Sequence, residues 1–375
     1  MDDLGVERIM FGGNYNNKKI LITGNTGFKG SWLTIWLLNL GAKVYGFSKD
    51  IPTNPSMFNE LDLKNKITHY QKDVRDLNAI KEVVDKVKPD FVFHLAAQSL
   101  VSVSYADPID TISTNILGTA NVLEALRESN HECYNIIITS DKCYDNVEWV
   151  WGYKETDALG GKDIYSGSKG SAELIINSYF RSFFNKGKSN IKLATARAGN
   201  VVGGGDWAKD RIVPDCMRAW SNNEVVTMRS PNATRPWQHV LEPLSGYLAL
   251  GSQLKENSGL NGESFNFGPL SKYNRTVEDI LKDLSKYWDF EEPSESYNIT
   301  NKIEFHEAGL LKLNCDKALF YLKWLPTLSY SDFIKFTGSW YHAFYKKKYN
   351  MLNFTFDQID KYQKIAFKKG ITWAK

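Results

Sequence analysis

A short strand-like run, Lys19 to Thr23, passes directly into Gly24-Asn25-Thr26-Gly27-Phe28-Lys29-Gly30, and an apolar helical stretch, Ser31 to Leu40, follows at once. Strand, glycine turn and helix in this order leave few folds open, because the next strand, Lys43 to Phe47, must return parallel to the first. The alternation continues through helix Leu77 to Val87, strand Asp90 to Leu95, helix Ile109 to Arg127 and strand Tyr134 to Thr139. Helix Ser168 to Phe183 and strand Ile191 to Arg197 close the series. The pattern predicts an α/β chain with a Rossmann-type doubly wound parallel sheet over 18–200, completed by segments near 235–250. Beyond Asn200 the periodicity loosens among glycines and Pro214, Pro231, Pro236, Pro243 and Pro269, which reads as a smaller C-terminal substrate-binding region with C-terminal helices over 201–375. Residues 1–17 read as a poorly ordered N-terminal extension. Thr355 to Lys375, preceded by Lys346 to Lys348, reads as a solvated amphipathic helix.

The glycine turn carries the first functional signal. Glycines between a strand and a helix let the backbone approach a pyrophosphate, which helix N-terminal amides then hold. Gly24, Thr26, Gly27, Phe28, Lys29 and Gly30 are the cofactor candidates here, in the Gly-x-x-Gly-x-x-Gly spacing of short-chain dehydrogenases; a purely structural turn is the plain alternative. Asp50, at the end of the second strand, is placed to accept from a ribose and favours NAD, while Lys49 leaves NADP open. Asp73 and Val74 follow the third strand position, where Asp73 suits an adenine amino group or a helix N-cap. Leu95, Ala96, Ala97 and Gln98 follow the next strand, with small residues that let a cofactor lie against the backbone.

Chemistry appears at Ser140-Asp141-Lys142 and at Tyr165-Ser166-Gly167-Ser168-Lys169. Tyr165 and Lys169 are one helical turn apart and share a face. An ammonium beside a phenol is expected to lower the tyrosine pKa from about 10 toward neutrality, so that Tyr165 removes a hydroxyl proton during hydride transfer. Ser140 completes the triad. An acid and an amine beside it, Asp141 and Lys142, suit elimination, which needs one group to take a proton and another to protonate the departing oxygen.

Charge and composition exclude other classes. A net charge of +3 from 46 basic and 43 acidic residues is too balanced for a nucleic-acid binder. Cys133, Cys143, Cys216 and Cys315 show no metal-ligand or paired spacing, so reduced thiols in the cytoplasm and no metal are expected. No stretch approaches the run of about 20 apolar residues that spans a bilayer.

Several longer motifs then carry a resemblance. Gly24 to Trp32, Ser140-Asp141-Lys142-Cys143-Tyr144, Trp149-Val150-Trp151-Gly152-Tyr153, Ala196-Arg197-Ala198-Gly199-Asn200, Gly203-Gly204-Gly205-Asp206-Trp207 and Arg235-Pro236-Trp237-Gln238-His239-Val240-Leu241-Glu242-Pro243 are similar to CDP-glucose 4,6-dehydratases. Those enzymes are extended short-chain dehydrogenase/reductases, and the similarity runs from about Lys18 to Tyr341. The resemblance implies bound NAD, a CDP-glucose substrate and a redox-neutral dehydration to CDP-4-dehydro-6-deoxyglucose. It implies that Tyr165 deprotonates the 4-hydroxyl, that Lys142 removes the C5 proton and that Asp141 protonates the leaving 6-hydroxyl, with hydride returned to C6. Gln98, Ser104, Asn200, Arg211, Arg235 and His239 become the substrate-binding candidates, Trp207, Trp237 and Tyr105 possible companions, and Asp210 an equal claimant for Arg211. A homodimer or higher oligomer and a role in surface polysaccharide (O-antigen, lipopolysaccharide) are further implications. Ser102 stands where the family usually has arginine, which bears on the substrate. The alternatives are another nucleotide-sugar dehydratase or epimerase, or a non-catalytic NAD-sensing protein.

Overall fold

The computed structural model describes residues 9–375 apart from 186, 188, 229, 271–274, 289, 301–309 and 348. Five apolar runs and one polar edge segment, Thr68–Gln71, form six strands: β1 (Lys19–Thr23), β2 (Lys43–Ser48), β3 (Thr68–Gln71), β4 (Phe91–His94), β5 (Cys133–Ile138) and β6 (Ile191–Ala198). A seventh, Ser264–Phe267, which the sequence pattern does not mark, pairs with β6. The order is β3-β2-β1-β4-β5-β6 and then the seventh strand, and every neighbouring pair is parallel. Side chains alternate between two cores: Ile20, Ile22, Phe91 and Phe93 enter one, Leu21 and Val92 the other. Burial on both faces is what makes the central strands β1, β4, β5 and β6 near-continuous apolar runs.

The first helix, Phe28–Asn39, starts three residues earlier than its apolar run because Gly27, in an extended conformation, caps it directly from the turn. It is buried all round from Gly30 to Leu37, since the sheet covers one side and the C-terminal helix Met351–Lys368 the other. Trp36 meets Tyr362 edge-on at 5.6 Å and Trp373 at 6.0 Å. The C-terminal helix is therefore part of the core, burying Ile359, Tyr362 and Ala366, and the expectation of a solvated surface helix fails. Lys348 and residues 1–8 lie outside the described residues. The rest of the expected loose N-terminus is packed: Phe11 stacks on Trp373 at 4.9 Å, and Tyr15 donates to the Leu248 carbonyl at 2.5 Å. Burial of Phe11, Tyr15 and Trp373 outweighs the polar composition that suggested disorder.

The helix expected over Ile109 to Arg127 is interrupted. Pro108–Ile112 and Gly118–Ser129 are joined by a π-turn at Ser113–Leu117, the kind of wide turn that re-aims a side chain at functional sites. Helix Leu241–Glu256 packs on the sheet and begins with a buried carboxylate. Glu242 accepts from the Thr327 amide (3.0 and 2.9 Å), the Leu328 amide (2.6 Å) and the Tyr362 hydroxyl (2.8 Å), joining the helix to the C-terminal segment. Burial pushes its pKa up to about 7 despite those donors. A carboxyl raised on folding favours the native state below its unfolded pKa of about 4.5, and that advantage falls away as pH rises to about 7. Glu242→Gln should therefore lower Tm relative to the parent most at pH 5 and least at pH 8, as thermal melts across that range would read.

Candidate active site

The glycine turn is closed by contacts that admit no side chain. Gly24 has φ +75°, and a Cβ there would lie 2.7 Å from the Ala96 amide nitrogen; one on Gly30 would lie 2.1 Å from the Gly24 carbonyl oxygen. Backbone amides at Gly27 and Phe28 thus begin a helix at the carboxyl end of β1, beside the switch between β1 and β4 where doubly wound sheets bind ligands. The Thr26 hydroxyl donates to the Asp50 carbonyl at 2.7 Å, holding the end of β2 against the turn and leaving the Asp50 side chain exposed. Leu95, Ala96, Ala97 and Gln98 leave β4 half-buried alongside.

Two of the cofactor-site readings change. Asp73 does not cap a helix: Asp76 caps Leu77–Val87, accepting from the Ala79 amide at 3.1 Å. The Asp73 carboxylate is gripped by Arg75 at 2.6 to 3.1 Å, and although burial opposes it, that contact holds the carboxyl below its ordinary range. Val74 is buried against Gly118, where an added Cβ would meet its methyl at 2.8 Å. Lys29, read as part of the phosphate turn, sends its ammonium toward the chemistry instead, 3.5 Å from the Tyr247 hydroxyl. Burial pulls Lys29 down to about 8, with Arg211 and Lys169 adding to the shift and Asp141 and Asp206 opposing it. Tyr247, on helix Leu241–Glu256, carried no local signal in the sequence.

The catalytic candidates converge where β5 ends. Ser140 donates to Asp141 Oδ1 at 3.0 Å and accepts from the Lys142 amide at 3.3 Å. Asp141 is buried, and burial raises its carboxyl above the ordinary value against the pull of Lys142, Ser140 and Lys29. A Cβ at Gly199 would come within 2.8 Å of Asp141 Oδ2, which explains the glycine after Ala198. Lys142 is half-buried on the same turn. Helix Ile164–Tyr179, capped by Asp163, presents Tyr165 and Lys169 on one buried face. The expected fall of the Tyr165 pKa does not occur among the protein's own groups: burial raises it to about 12, Asp141 adds to the rise, and Ser140 and Arg211 only partly offset it. Burial also brings Lys169 down to about 8.

Asn115, missed from the sequence, links the two halves of this arrangement. Held by the π-turn, its Nδ2 donates to the Gln98 carbonyl (3.0 Å) and to Ser168 Oγ (2.9 Å), while its Oδ1 accepts from the Gln98 amide (2.8 Å). The irregular turn was the signal, and periodicity alone cannot display it.

The substrate candidates divide. The Gln98 amide group is spent on Leu100 and Thr111, and the buried Ser104 donates to the Val101 carbonyl, so both brace the loop instead of facing a ligand. His239 is buried between Trp32 (5.9 Å) and Phe336 (5.5 Å), with burial lowering its pKa to about 3, so it is a neutral core residue. Trp207 is buried against Trp340 and Phe344. Arg211 pairs with Asp206 at 2.9 Å, not with its neighbour Asp210, which accepts from Ser102 at 2.7 Å. Asn200 is half-buried, and its carbonyl accepts from the Gln238 amide. Arg235 stands opposite Arg275 in an antiparallel pair, an arginine that the sequence motifs left out. Tyr105 is half-exposed on helix Val101–Ala106, and Trp237 donates to the Arg275 carbonyl.

A family model for GDP-mannose 4,6 dehydratase matches residues 21–337. The chain belongs to this family. Within reach of it, the CDP-glucose 4,6-dehydratase of Salmonella typhimurium is 43% identical over 332 residues, covering 88% of this chain and 92% of that protein. The dTDP-glucose 4,6-dehydratase of Haemophilus influenzae is 23% identical, over 86% of this chain and 97% of its own. Among solved structures, a dTDP-glucose 4,6-dehydratase from Streptomyces venezuelae with NAD and TYD bound superimposes with TM-score 0.73 at 19% identity, over 86% of this chain and 96% of that one. Family membership places the glycine turn and the Tyr165 helix in a shared fold, and the side-chain geometry above is this member's version of it.

Proposed function

We propose that the chain dehydrates CDP-glucose to CDP-4-dehydro-6-deoxyglucose. The observation that carries this reading is the buried, protonation-prone Asp141 within hydrogen-bond reach of Ser140 and beside Tyr165; the 43% identity to a CDP-glucose 4,6-dehydratase supports the nucleobase. The turn fits a dinucleotide, since Gly24 and Gly30 hold it tight against Ala96 and itself, while Gly27, where a Cβ would meet only the Gly24 carbonyl at 3.5 Å, leaves the backbone open to a pyrophosphate. Gly24, Thr26, Gly27, Phe28 and Gly30 would hold the pyrophosphate, Asp50 a ribose and Lys169 the nicotinamide ribose. When bound, NAD⁺ supplies the hydride acceptor and donor and a positive charge that favours the Tyr165 phenolate.

Tyr165 removes the 4-hydroxyl proton while Ser140 holds that oxygen. Lys142 takes the C5 proton, made acidic by the 4-ketone, and returns it to C5 once C6 is reduced. Asp141, whose carboxyl burial shifts toward the protonated form, gives its proton to the 6-oxygen, which leaves as water. Arg235, whose planar guanidinium matches phosphate geometry, is assigned to the diphosphate, with Arg275 opposite it in the strand pair. Asn200 and Arg211 flank the same approach. The division into a nucleotide-binding part and a substrate-covering part is proposed with this assignment, the seventh strand crossing it.

Incubation with CDP-, dTDP-, UDP- and GDP-hexoses, followed by mass spectrometry, tests the reading. Loss of one water from CDP-glucose supports it; an unchanged mass with altered sugar configuration would make the chain an epimerase.

We also propose a homodimer acting in the cytoplasm on precursors of surface polysaccharide. Ile109, Leu117 and Leu174 are 70%, 51% and 58% exposed on adjoining helices around Tyr165, an apolar face that a second copy would bury. Sedimentation should show a dimer, and Leu174→Glu a monomer. No helix of the described residues is long and apolar enough to cross a membrane, and they hold no metal-ligating cluster.

A further inference from the structure

Two charges lie directly behind the catalytic face, and no step above uses them. Glu173 follows Lys169 by one helical turn, Arg197 stands on β6, and each side chain is 3% exposed. The contact is two-pronged: Arg197 Nε to Glu173 Oε1 at 2.8 Å and Nη2 to Oε2 at 2.9 Å. Glu173 also accepts from the hydroxyls of Thr139 and Thr195, and Thr139 immediately precedes Ser140. Arg197 Nη1 donates to the Tyr144 hydroxyl at 2.8 Å and the Glu155 carbonyl at 3.1 Å, and Nη2 reaches Ser264 Oγ at 3.3 Å. One ion pair therefore ties the helix of Tyr165 and Lys169 to the strand end of Ser140 and to the turn Asp141–Tyr144.

Stability alone does not call for this pair. Apolar side chains of similar volume often stabilise a core as well as a buried ion pair does, whereas a fully satisfied polar network fixes relative positions. On the dehydratase reading given above, we infer that Glu173 and Arg197 are positioning residues of the hydride chemistry: the pair sets Ser140 and Asp141 against Tyr165, and the Glu173 carboxylate holds Lys169 as the ammonium.

The surroundings of Lys169 leave that task to Glu173. Its own helix offers Tyr165, which burial keeps neutral, and Glu173. The turn after β5 brings Cys143, held as a thiol by burial; β4 brings His94, kept neutral by burial between Thr23 and Thr119; the first helix brings Lys29, another cation. Burial also pushes Glu173 up, but the charge and hydrogen bonds of Arg197 hold it below the usual carboxylate range, so it remains the anion facing Lys169. Lys169 sits at about 8, where loss of a neighbouring anion changes its charge under working conditions.

Glu173→Gln keeps the shape and one accepting oxygen, loses the second prong to Arg197, and removes the charge. Its kcat profile should lose activity about one pH unit earlier on the alkaline side, a roughly five-fold fall at pH 8, with KM little changed. Independently of turnover, the pH dependence of Lys169 acetylation by acetic anhydride, read by peptide mass spectrometry, should move down by a similar amount. Glu173→Met with Arg197→Met should recover the Tm lost by either single change yet keep the shifted Lys169 profile. An unmoved acetylation profile in Glu173→Gln, or the parent profile in the double variant, would leave the pair a structural feature only and overturn the inference. A parent enzyme that converts no nucleotide sugar would sink the dehydratase reading, and the acetylation arm would still decide this one.

Discussion

Tyr165→Phe should all but abolish turnover of CDP-glucose, lowering kcat by roughly 10³-fold, the scale of a lost general base. The change deletes one oxygen from a buried ring, so the helix and its packing stay. What disappears is the acceptor for the 4-hydroxyl proton, and without it C4 is not oxidised. Stopped-flow mixing of loaded enzyme with CDP-glucose should show no near-ultraviolet absorbance of reduced nicotinamide, even in the first turnover. The high pKa that burial gives the phenol, about 12, sharpens the expectation. Ionisation has to be driven by what binds, so the residue contributes to the reaction and little to the resting fold. Near-parental turnover in the Phe variant would remove Tyr165 from the mechanism.

Asp141→Asn should also stop product formation, by about 10² to 10⁴-fold in kcat, but at a different step. Asparagine fills the same space beside Gly199 and can still accept from Ser140, yet it has no proton to give the departing 6-oxygen. Oxidation at C4 should proceed, so reduced nicotinamide should accumulate where Tyr165→Phe shows none. The C5 proton should still exchange with deuterated solvent, because that step is assigned to Lys142; Lys142→Met should lose both the exchange and the product. Exchange surviving in Lys142→Met would place the C5 base elsewhere, and full turnover in Asp141→Asn would deny it the acid's role.

Much of this site was legible because it is local. The glycine turn announces itself through a strand on one side and a helix on the other, and Tyr165 and Lys169 through a spacing that puts them on one helical face. Ser140-Asp141-Lys142 stands out because a strand ends there. Residues failed to be legible where their role depends on a distant partner. Lys29 looked like a phosphate-turn residue because its neighbours are glycines, but its ammonium lies by Tyr247, far along the chain. Asp210 looked like the partner of Arg211 because it is adjacent, yet φ +60° turns it away, and Asp206 takes the contact. His239 carries a chemically useful ring, and only the packing of Trp32 and Phe336 shows that it is core.

The sequence by itself determined the alternation of strands and helices, the cofactor turn and the side chains proposed for the chemistry, because each follows from periodicity or from spacing within a turn or two. Tertiary structure alone decided that Ser264–Phe267 completes the sheet, that Phe11 and Tyr15 pack into the core with the C-terminal helix, and that Glu173 meets Arg197 behind the candidate catalytic groups. Those outcomes depend on pairing between segments remote in the chain, where burial and hydrogen-bond satisfaction select the partner and local pattern is silent.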